Sequence, residues 1–590
     1  MTTNSAPIIP TTEGPVQGVV ESEILVFRGI PYARPPVGDL RWKEPQPVEP
    51  WKEPRLAVIF SKACLQPTYE SMDGAGDVGP QSEDCLYLNV WTSGVDHAAP
   101  KPVMVWIHGG AFKIGVGSDK IYSGVPLATK GVVVVTLNYR VGLLGFFAHP
   151  GLEKERRLGP VNFGLLDQIA ALEWVQRNIA AFGGDPGNVT IFGQSAGAES
   201  VLALFASPLS KDRSPALFHK GIAQSPYAIP EQSREKASEV GIKVAAGLFK
   251  LNGEHATAEE LRAVPAEKFT AKFMPTPENP RGQVPFLGPS PVCGDVVLPK
   301  GLRATFEAGE QARKPLILGS NSDEASVLEA FGMDPGAVMQ KIIDAGGIAA
   351  ELFVAHLKNL YRGDPEVTEE DLADADRFAS LVLRDMMFTA QARWFADQHS
   401  KVADARWYYF SYVPEGERAD HPHGVSHGGE MFFPFGGVKP TYTAADREMS
   451  EKVSGYWSSF AKTGTPEGAG QAPQDTTCEG APPPEPPVSP PEPPVPPPEP
   501  PVPPPEPPVP PPEPPVPPPE PPVPPPEPPV PPLPLDPAPE PPAPPDAPAA
   551  PAGPSFASPQ ARPIERRRRP INHPAHHRAA PRRPIMNTSQ

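Results

Sequence analysis

The chain has little cysteine and no long apolar run. Four of its 590 residues are cysteine, and no stretch reaches the roughly 18 to 20 uninterrupted apolar residues that a membrane-spanning helix needs. Residues 1–7 have neither the basic region nor the apolar core that begins a secretory signal. We therefore expect a cytoplasmic protein without a membrane partner, in which thiols stay reduced.

Patterns that bind cofactors or polyanions are missing as well. The sequence has no cluster of metal-ligand residues, no glycine-rich phosphate loop and no dinucleotide fingerprint, so it implies no cofactor and no metal. Its formal net charge of −17 opposes binding to nucleic acid. Nucleic acid and membranes are therefore not expected partners.

A serine stands at a predicted junction of strand and helix. The segment Gly193-Gln194-Ser195-Ala196-Gly197 follows an apolar run at residues 189–192 and precedes a stretch of small residues. Glycines two positions before and two after the serine let the strand turn tightly into the helix, and the strained turn presents the hydroxyl at the sheet edge. Hydrolases place a nucleophile at such a turn, although the five-residue pattern alone also arises by chance.

An acid and a histidine follow Ser195 in the chain order that α/β-hydrolases use. Glu324 comes just after the strand-like residues 315–318, and His427 lies in a glycine-flanked loop after the strand-like residues 407–412. Each candidate therefore stands where a strand gives way to a loop. Open α/β sheets assemble their sites at that edge, so the three side chains are expected to converge.

Six further segments occur in order along the chain: residues 27–38, 82–91, 106–112, 138–142, 182–188 and 460–464. Together they resemble the type B carboxylesterases, a family that includes cholinesterases and bacterial para-nitrobenzyl esterases. The resemblance covers roughly residues 10 to 465. It implies the α/β-hydrolase fold, with a mostly parallel central sheet flanked by helices, and helical insertions at about residues 230–310 and 330–400 that form a gorge.

By this resemblance, Ser195 is the nucleophile, His427 the general base and then acid, and Glu324 the carboxylate that orients the imidazole. The chemistry agrees, because a serine hydroxyl is a poor nucleophile until a base takes its proton, and that base needs a carboxylate to fix its tautomer. Neighbouring residues of the same types remain alternatives to the acid and the base: Asp323, His421 and His423.

A Gly-Gly turn after the apolar residues 103–107 is a candidate oxyanion hole, since it can offer backbone N–H groups to a developing negative charge. The resemblance assigns the donors to the N–H groups of Gly110, Ala111 and Ala196. A plain turn after a strand is the alternative. Ser225 follows a further strand and is a candidate to hydrogen-bond the catalytic acid from behind.

The resemblance also implies structural pairs near the site. Two of them are ion pairs that order loops: Arg140 with Asp167, and Arg41 with Glu83. Cys64 and Cys85 match a disulfide of secreted relatives, and the expected cytoplasmic location makes that bridge optional.

Beyond Gly470 the composition changes completely. Residues 482–535 repeat Glu-Pro-Pro-Val-Pro-Pro-Pro with a period of seven. Proline lacks the N–H that helices and sheets use, so this run predicts a stiff polyproline II rod rather than a packed core. We therefore expect a type B carboxylesterase domain at residues 1–470 and a disordered Pro-rich tail with a basic end at residues 471–590.

The expected activity is serine carboxylesterase chemistry through an acyl-enzyme, with a small-molecule ester as substrate. No tryptophan lies between Cys64 and Cys85 to hold a quaternary ammonium, and Gln194 replaces the acidic residue that precedes the serine in choline esterases. Neutral esters of short to medium acyl chains, or aryl esters, are therefore favoured. The alternatives are a non-catalytic cholinesterase-like binding protein and an amidase or carbamate hydrolase with the same triad. A monomer or a homodimer is expected.

Overall fold

The described part of the chain is residues 5–68, 78–155, 159–227, 232–271, 290–364 and 367–467 of a computed structural model. The Pro-rich tail predicted at residues 471–590, and with it the predicted boundary at residue 470, lies outside these ranges. The strands within them are β1 (Ser5–Pro10), β2 (Pro15–Glu21), β3 (Ile24–Pro31), β4 (Arg55–Leu56), β5 (Ala63–Cys64), β6 (Gln81–Ser82), β7 (Tyr87–Thr92), β8 (Lys101–Ile107), β9 (Val133–Leu137), β10 (Gly184–Gln194), β11 (Lys220–Gln224), β12 (Gln232–Ser233), β13 (Val292–Cys293), β14 (Leu316–Asn321) and β15 (Ala405–Phe410).

One large sheet organises these strands in the order β1-β2-β3-β7-β9-β8-β10-β11-β14-β15, with β4 paired to β2. The pairings from β9 to β15 are all parallel, whereas β1, β2, β3 and β7 pair antiparallel at the other end. The strand pairs β5–β6 and β12–β13 form two small separate sheets. The prediction of a mostly parallel central sheet is confirmed.

Helices connect the strands and cover both faces of the sheet. They are α1 (Val125–Thr129), α2 (Gly142–Gly145), α3 (Pro150–Glu153), α4 (Phe163–Asn178), α5 (Ala196–Ala206), α6 (Pro208–Lys211), α7 (Arg234–Gly247), α8 (Ala258–Arg262), α9 (Leu302–Glu307), α10 (Ser326–Ala330), α11 (Pro335–Tyr361), α12 (Glu369–Ala373), α13 (Ala375–Arg384), α14 (Ala390–His399) and α15 (Ala444–Thr463). Helices α7 to α9 and α11 to α14 lie within the two predicted insertions, and α10 directly precedes the second. No helix in the described ranges is long and apolar enough to cross a bilayer.

The central strand β8 carries buried apolar residues on both of its faces because both faces of the sheet are covered. In β8, Val103, Val105 and Ile107 belong to one buried cluster. Met104 and Trp106 belong to the cluster on the opposite face. Alternate residues of a strand point to opposite faces, so a continuous apolar run is what a strand between two helical layers requires.

The parallel half of the sheet sets the position of the candidate site. Ser195 directly follows β10, Ser225 directly follows β11, and Glu324 comes three residues after β14 ends at Asn321. His427 lies in the long loop between β15 and α15. Because β10, β11, β14 and β15 are parallel neighbours, their carboxyl ends bring these four residues to one edge.

Candidate active site

Ser195 stands on a strained turn between β10 and α5. Its backbone has φ 57° and ψ −123°, and its N–H donates to the carbonyl of Gln224 over 2.8 Å. A Cβ atom on Gly197 would lie 2.1 Å from the carbonyl oxygen of Ile107, and one on Gly193 would lie 2.6 Å from the Gly197 backbone. Both glycines are therefore needed for the helix to pack this close to the sheet, as the sequence pattern predicts.

The candidate acid and base are in direct contact. The Nδ1 atom of His427 lies 2.5 Å from Oε2 of Glu324, and the Glu324 side chain is fully buried. The other carboxylate oxygen accepts the backbone N–H of Asn321 over 2.6 Å. The backbone N–H of His427 donates to the hydroxyl of Ser326 over 2.9 Å, which ties the histidine loop to the acid loop.

The alternatives to this acid and base point elsewhere. The Asp323 carboxylate faces Arg377, with Nη1 3.7 Å from Oδ1, and the Asp323 side chain is 19% exposed. Its backbone instead joins the histidine loop, through an N–H that donates to the carbonyl of Val425 over 2.9 Å. His423 is exposed and His421 is half-buried. The geometry thus favours Glu324 and His427.

The serine and the histidine are not hydrogen-bonded to each other. Within the described ranges the Ser195 hydroxyl has no hydrogen-bond partner, and Nε2 of His427 lies 3.2 Å from Nε2 of Gln194. When Nδ1–H donates to a carboxylate, Nε2 carries a lone pair that an amide N–H can satisfy. Bonds between nucleophile and base commonly form only once a substrate is bound. In this structure Glu324 therefore contacts His427, whereas the hydrogen bond between His427 and Ser195 is absent.

The candidate oxyanion loop follows β8 in an unusual conformation. Gly110, Ala111 and Phe112 have φ values of 106°, 54° and 58°, a region that residues with side chains rarely adopt. A Cβ on Gly110 would lie 2.3 Å from the carbonyl of Ile114. Among the described residues, the N–H groups of Gly110, Ala111 and Ala196 donate to no acceptor. Backbone strain of this kind concentrates at functional sites, and two of the three free donors belong to the strained loop.

A buried histidine supports this loop. The ring of His108 stacks on that of Tyr139 with centroids 4.3 Å apart and planes 17° from parallel. The Tyr139 hydroxyl donates to the His108 carbonyl over 3.0 Å, and Nδ1 of His108 lies 2.9 Å from the Gly109 carbonyl. Burial lowers the pKa of His108 to about 4. The ring is therefore a neutral support and not a second base near neutral pH.

The hydrogen bond expected from Ser225 to the catalytic acid is not formed. The Ser225 hydroxyl is buried and has no hydrogen-bond partner among the described residues, although its backbone N–H donates to Gly319 over 2.8 Å. The two oxygens of Glu324 are already engaged by His427 and by the backbone N–H of Asn321. A main-chain donor thus performs the task that the sequence suggested for a hydroxyl.

A second buried carboxyl group lies behind the acid and was not predicted as a site residue. Glu430 is 2% exposed and accepts hydrogen bonds from Nε2 of Gln224 over 3.0 Å and from Nδ2 of Asn321 over 2.6 Å. Burial raises the pKa of Glu430, and the nearby Glu324 adds to this rise. Its position three residues after His427 was the one available signal.

An aromatic ring covers the face of the candidate base. Phe388 lies 4.8 Å from the His427 ring, measured between centroids, at an interplanar angle of 48°. It belongs to a π-helical turn, Asp385–Thr389, between α13 and α14. Such turns often occur at functional sites because the extra residue redirects a side chain. Phe388 therefore provides an apolar wall beside the imidazole.

Both predicted ion pairs are present. Arg140 binds Asp167 through two hydrogen bonds of 2.7 and 2.8 Å with both side chains buried, and Nη2 of Arg41 lies 2.5 Å from Oε1 of Glu83. Cys64 and Cys85 are buried free thiols. In the described ranges no group of three or more His, Cys, Asp and Glu side chains is arranged to hold a metal ion.

A serine elbow and a carboxylate-bound histidine at the carboxyl edge of a mostly parallel sheet define an α/β-hydrolase. A family model described as "Carboxylesterase family" matches residues 5–482, and the chain belongs to that family. Para-nitrobenzyl esterase of Bacillus subtilis (strain 168) is 34% identical over 469 residues, which are 78% of this chain and 90% of that protein. Liver carboxylesterase of Sus scrofa is 36% identical over 510 residues, with 79% and 87% covered.

The fold agrees with this membership. A solved structure of PNB esterase aligns with a TM-score of 0.61 at 33% identity and covers 78% of this chain and 91% of that one. The predicted α/β-hydrolase fold and the predicted family are confirmed. The chain is a carboxylic ester hydrolase whose substrates are small-molecule esters.

Proposed function

We propose that Ser195, His427 and Glu324 form the catalytic triad of this esterase and that it hydrolyses neutral carboxylic esters through an acyl-enzyme. The observation that carries the proposal is the buried 2.5 Å contact between His427 and Glu324, on loops beside the serine elbow. That contact directs Nδ1–H to the acid, so Nε2 is the nitrogen that can take a proton from Ser195.

Acylation follows from this arrangement. The Ser195 hydroxyl oxygen attacks the ester carbonyl carbon while His427 Nε2 takes its proton, and the carbonyl oxygen becomes an oxyanion. The N–H groups of Gly110, Ala111 and Ala196 are unpaired among the described residues and donate hydrogen bonds to this oxyanion. The C–O bond to the alcohol then breaks, and the alcohol leaves with the proton from His427.

Deacylation uses the same groups in reverse. His427 takes a proton from water while the water oxygen attacks the acyl carbon. The new oxyanion again accepts hydrogen bonds from the same N–H groups. The bond to Ser195 then breaks, the serine recovers its proton from His427, and the carboxylic acid leaves.

Neutral esters suit the groups around the triad. The amide of Gln194 stands 3.2 Å from the imidazole, at a place where a carboxylate would attract cationic substrates. Phe388 adds an apolar wall beside the same ring. Esters with short to medium acyl chains, or aryl esters, would place uncharged groups beside the Gln194 amide and the Phe388 ring.

The test is a series of p-nitrophenyl esters of increasing acyl length, with the matching p-nitroanilides to measure amide cleavage. Ser195→Ala should abolish ester hydrolysis and labelling by a fluorophosphonate probe. Ser225→Ala is the matched control, since that hydroxyl is buried but has no hydrogen-bond partner among the described residues, and it should keep near-normal kcat. Activity that survives Ser195→Ala would show that another group performs the chemistry.

A further inference from the structure

Glu430 is a buried carboxyl group that the triad chemistry does not use. It lies three residues after His427, and none of the ion pairs between described residues includes it. Both of its oxygens accept hydrogen bonds from neutral amides, at 3.0 and 2.6 Å. Burying a carboxyl group without a cation is unfavourable, so its presence here requires a compensating role.

One of its partners supports the nucleophile. The Gln224 side chain donates to Glu430 over 3.0 Å, and its own Oε1 accepts the indole N–H of Trp457 over 3.1 Å. The backbone carbonyl of the same glutamine accepts the N–H of Ser195 over 2.8 Å. Glu430 therefore fixes the side chain of the residue whose main chain anchors the elbow.

The other partner supports the acid and the base. Asn321 donates from its side chain to Glu430 over 2.6 Å and to the carbonyl of Ser426 over 3.0 Å. Its backbone N–H donates to Glu324 over 2.6 Å. Ser426 immediately precedes His427, so a single asparagine links the acid loop to the histidine loop.

We propose that Glu430 is a positioning residue, which holds the three catalytic loops in register through Gln224 and Asn321. A carboxyl group suits this place because it presents two acceptor oxygens to two amide donors. The proposal rests on the triad assigned above. It adds that full activity also requires the Glu430 carboxyl group behind the triad.

Glu430→Gln tests it. The new amide N–H faces one of the two donors, so one hydrogen bond becomes a repulsive contact. Small displacements of catalytic groups lower the rate strongly, and we expect kcat to fall by roughly 10- to 100-fold with KM changed by less than about threefold. Glu13→Gln is the control, a buried glutamate between β1 and β2, at the opposite end of the sheet order, that accepts hydrogen bonds from Asn178 and Arg177. It should leave kcat unchanged.

A swap of the two side chains separates positioning from packing. In the double variant Glu430→Gln with Gln224→Glu, the amide at position 430 donates to the carboxylate at position 224 and still accepts from Asn321. That carboxylate still accepts from Trp457. Every hydrogen bond of the network is restored with its direction reversed at one place, so kcat should return to within about threefold of the wild type.

Thermal unfolding of each variant shows which ones are folded, and fluorophosphonate labelling shows whether Ser195 remains reactive. The proposal is overturned if folded Glu430→Gln keeps wild-type kcat, or if the folded double variant is as slow as the single one. A failed triad assignment would appear separately, as a Ser195→Ala variant that still hydrolyses esters.

Discussion

Adjacent acidic residues with different surroundings offer a direct test of the catalytic acid. Glu324→Gln and Asp323→Asn each remove one negative charge and preserve the shape of the side chain. Glu324 is fully buried and accepts from His427 over 2.5 Å, whereas Asp323 faces Arg377 at 3.7 Å. An amide at position 324 can present N–H to the ring, which favours the tautomer with its proton on Nε2 and leaves no lone pair for the serine proton.

The expected effects differ by orders of magnitude. Loss of the triad carboxylate with the geometry intact lowers kcat by about 10⁴ in serine hydrolases, or about 5 kcal/mol of transition-state stabilisation. Asp323 takes part in a partly exposed ion pair, which contributes about 0 to 1 kcal/mol to stability. Asp323→Asn should therefore change kcat by less than about fivefold, which corresponds to about 1 kcal/mol.

The assay is hydrolysis of p-nitrophenyl butyrate, with the pre-steady-state burst resolved from the steady state. The burst isolates acylation, the step in which His427 takes the serine proton. Thermal unfolding provides the check that both variants are folded. A loss of several orders of magnitude in Asp323→Asn together with a small loss in Glu324→Gln would refute the assignment, because it would place the working carboxylate on the wrong neighbour.

Three further changes test the surroundings of the triad. Gly110→Ala puts a methyl group about 2.3 Å from the Ile114 carbonyl at a φ of 106°, so the oxyanion donors must move. We expect kcat on p-nitrophenyl acetate to fall by about 10²- to 10³-fold and the unfolding temperature to fall as well because of the backbone clash, and unchanged kcat in the folded variant would contradict the assigned hole. Gln194→Glu places a carboxylate beside His427 and should raise kcat/KM for acetylthiocholine relative to p-nitrophenyl acetate by at least about tenfold, whereas a constant ratio would rule out an electrostatic role. Burial lowers the pKa of His108 from its usual 6.5 to about 4, so its contribution to stability is complete above pH 6.5 and is lost as the pH falls towards 4. Between pH 6.5 and 5 the wild type should lose roughly 1 to 2 kcal/mol of unfolding free energy more than His108→Asn, measured by urea titration, and parallel curves would exclude this origin.

Local pattern and chain order made the elbow and the family predictable. Glycines flank Ser195 because the turn has no room for a side chain at these positions. A Cβ on Gly197 would lie 2.1 Å from the Ile107 carbonyl oxygen. The ends of β10 and β14 meet at one edge because the strands are parallel, so Glu324 and His427 were expected near the serine. What the sequence left open was the choice between Asp323 and Glu324.

That choice depends on the path of a loop. The backbone of Asp323 pairs with Val425 and Ser426 of the histidine loop, and its side chain turns towards Arg377. The next residue then directs its carboxylate at the imidazole. No periodicity applies in such a loop, so residue type and spacing could not distinguish the two acids, and the family resemblance alone favoured Glu324, the acid that contacts His427 in the structure.

The hydrogen bonds behind the triad could not be predicted from the sequence, for a different reason. Gln224 and Glu430 are 206 residues apart, and Asn321 and Glu430 are 109 apart. Each of these residues is unremarkable in its own segment, and the network exists only once strands β11 and β14 lie side by side. The prediction for Ser225 went wrong at the same place, since a main-chain N–H of Asn321 had already filled the position at the acid.

The same network shows why the esterase domain extends as far as α15. Trp457 of that helix donates its indole N–H to Gln224 and packs against Tyr408 of β15 with ring centroids 5.4 Å apart. Without this donor, Oε1 of Gln224 would be left buried and unsatisfied, and the amide that holds Glu430 would be free to turn. Helix α15, which begins at Ala444, seventeen positions after His427, therefore does more than pack against the sheet. Through Trp457 and Gln224 it helps to hold Ser195 in position.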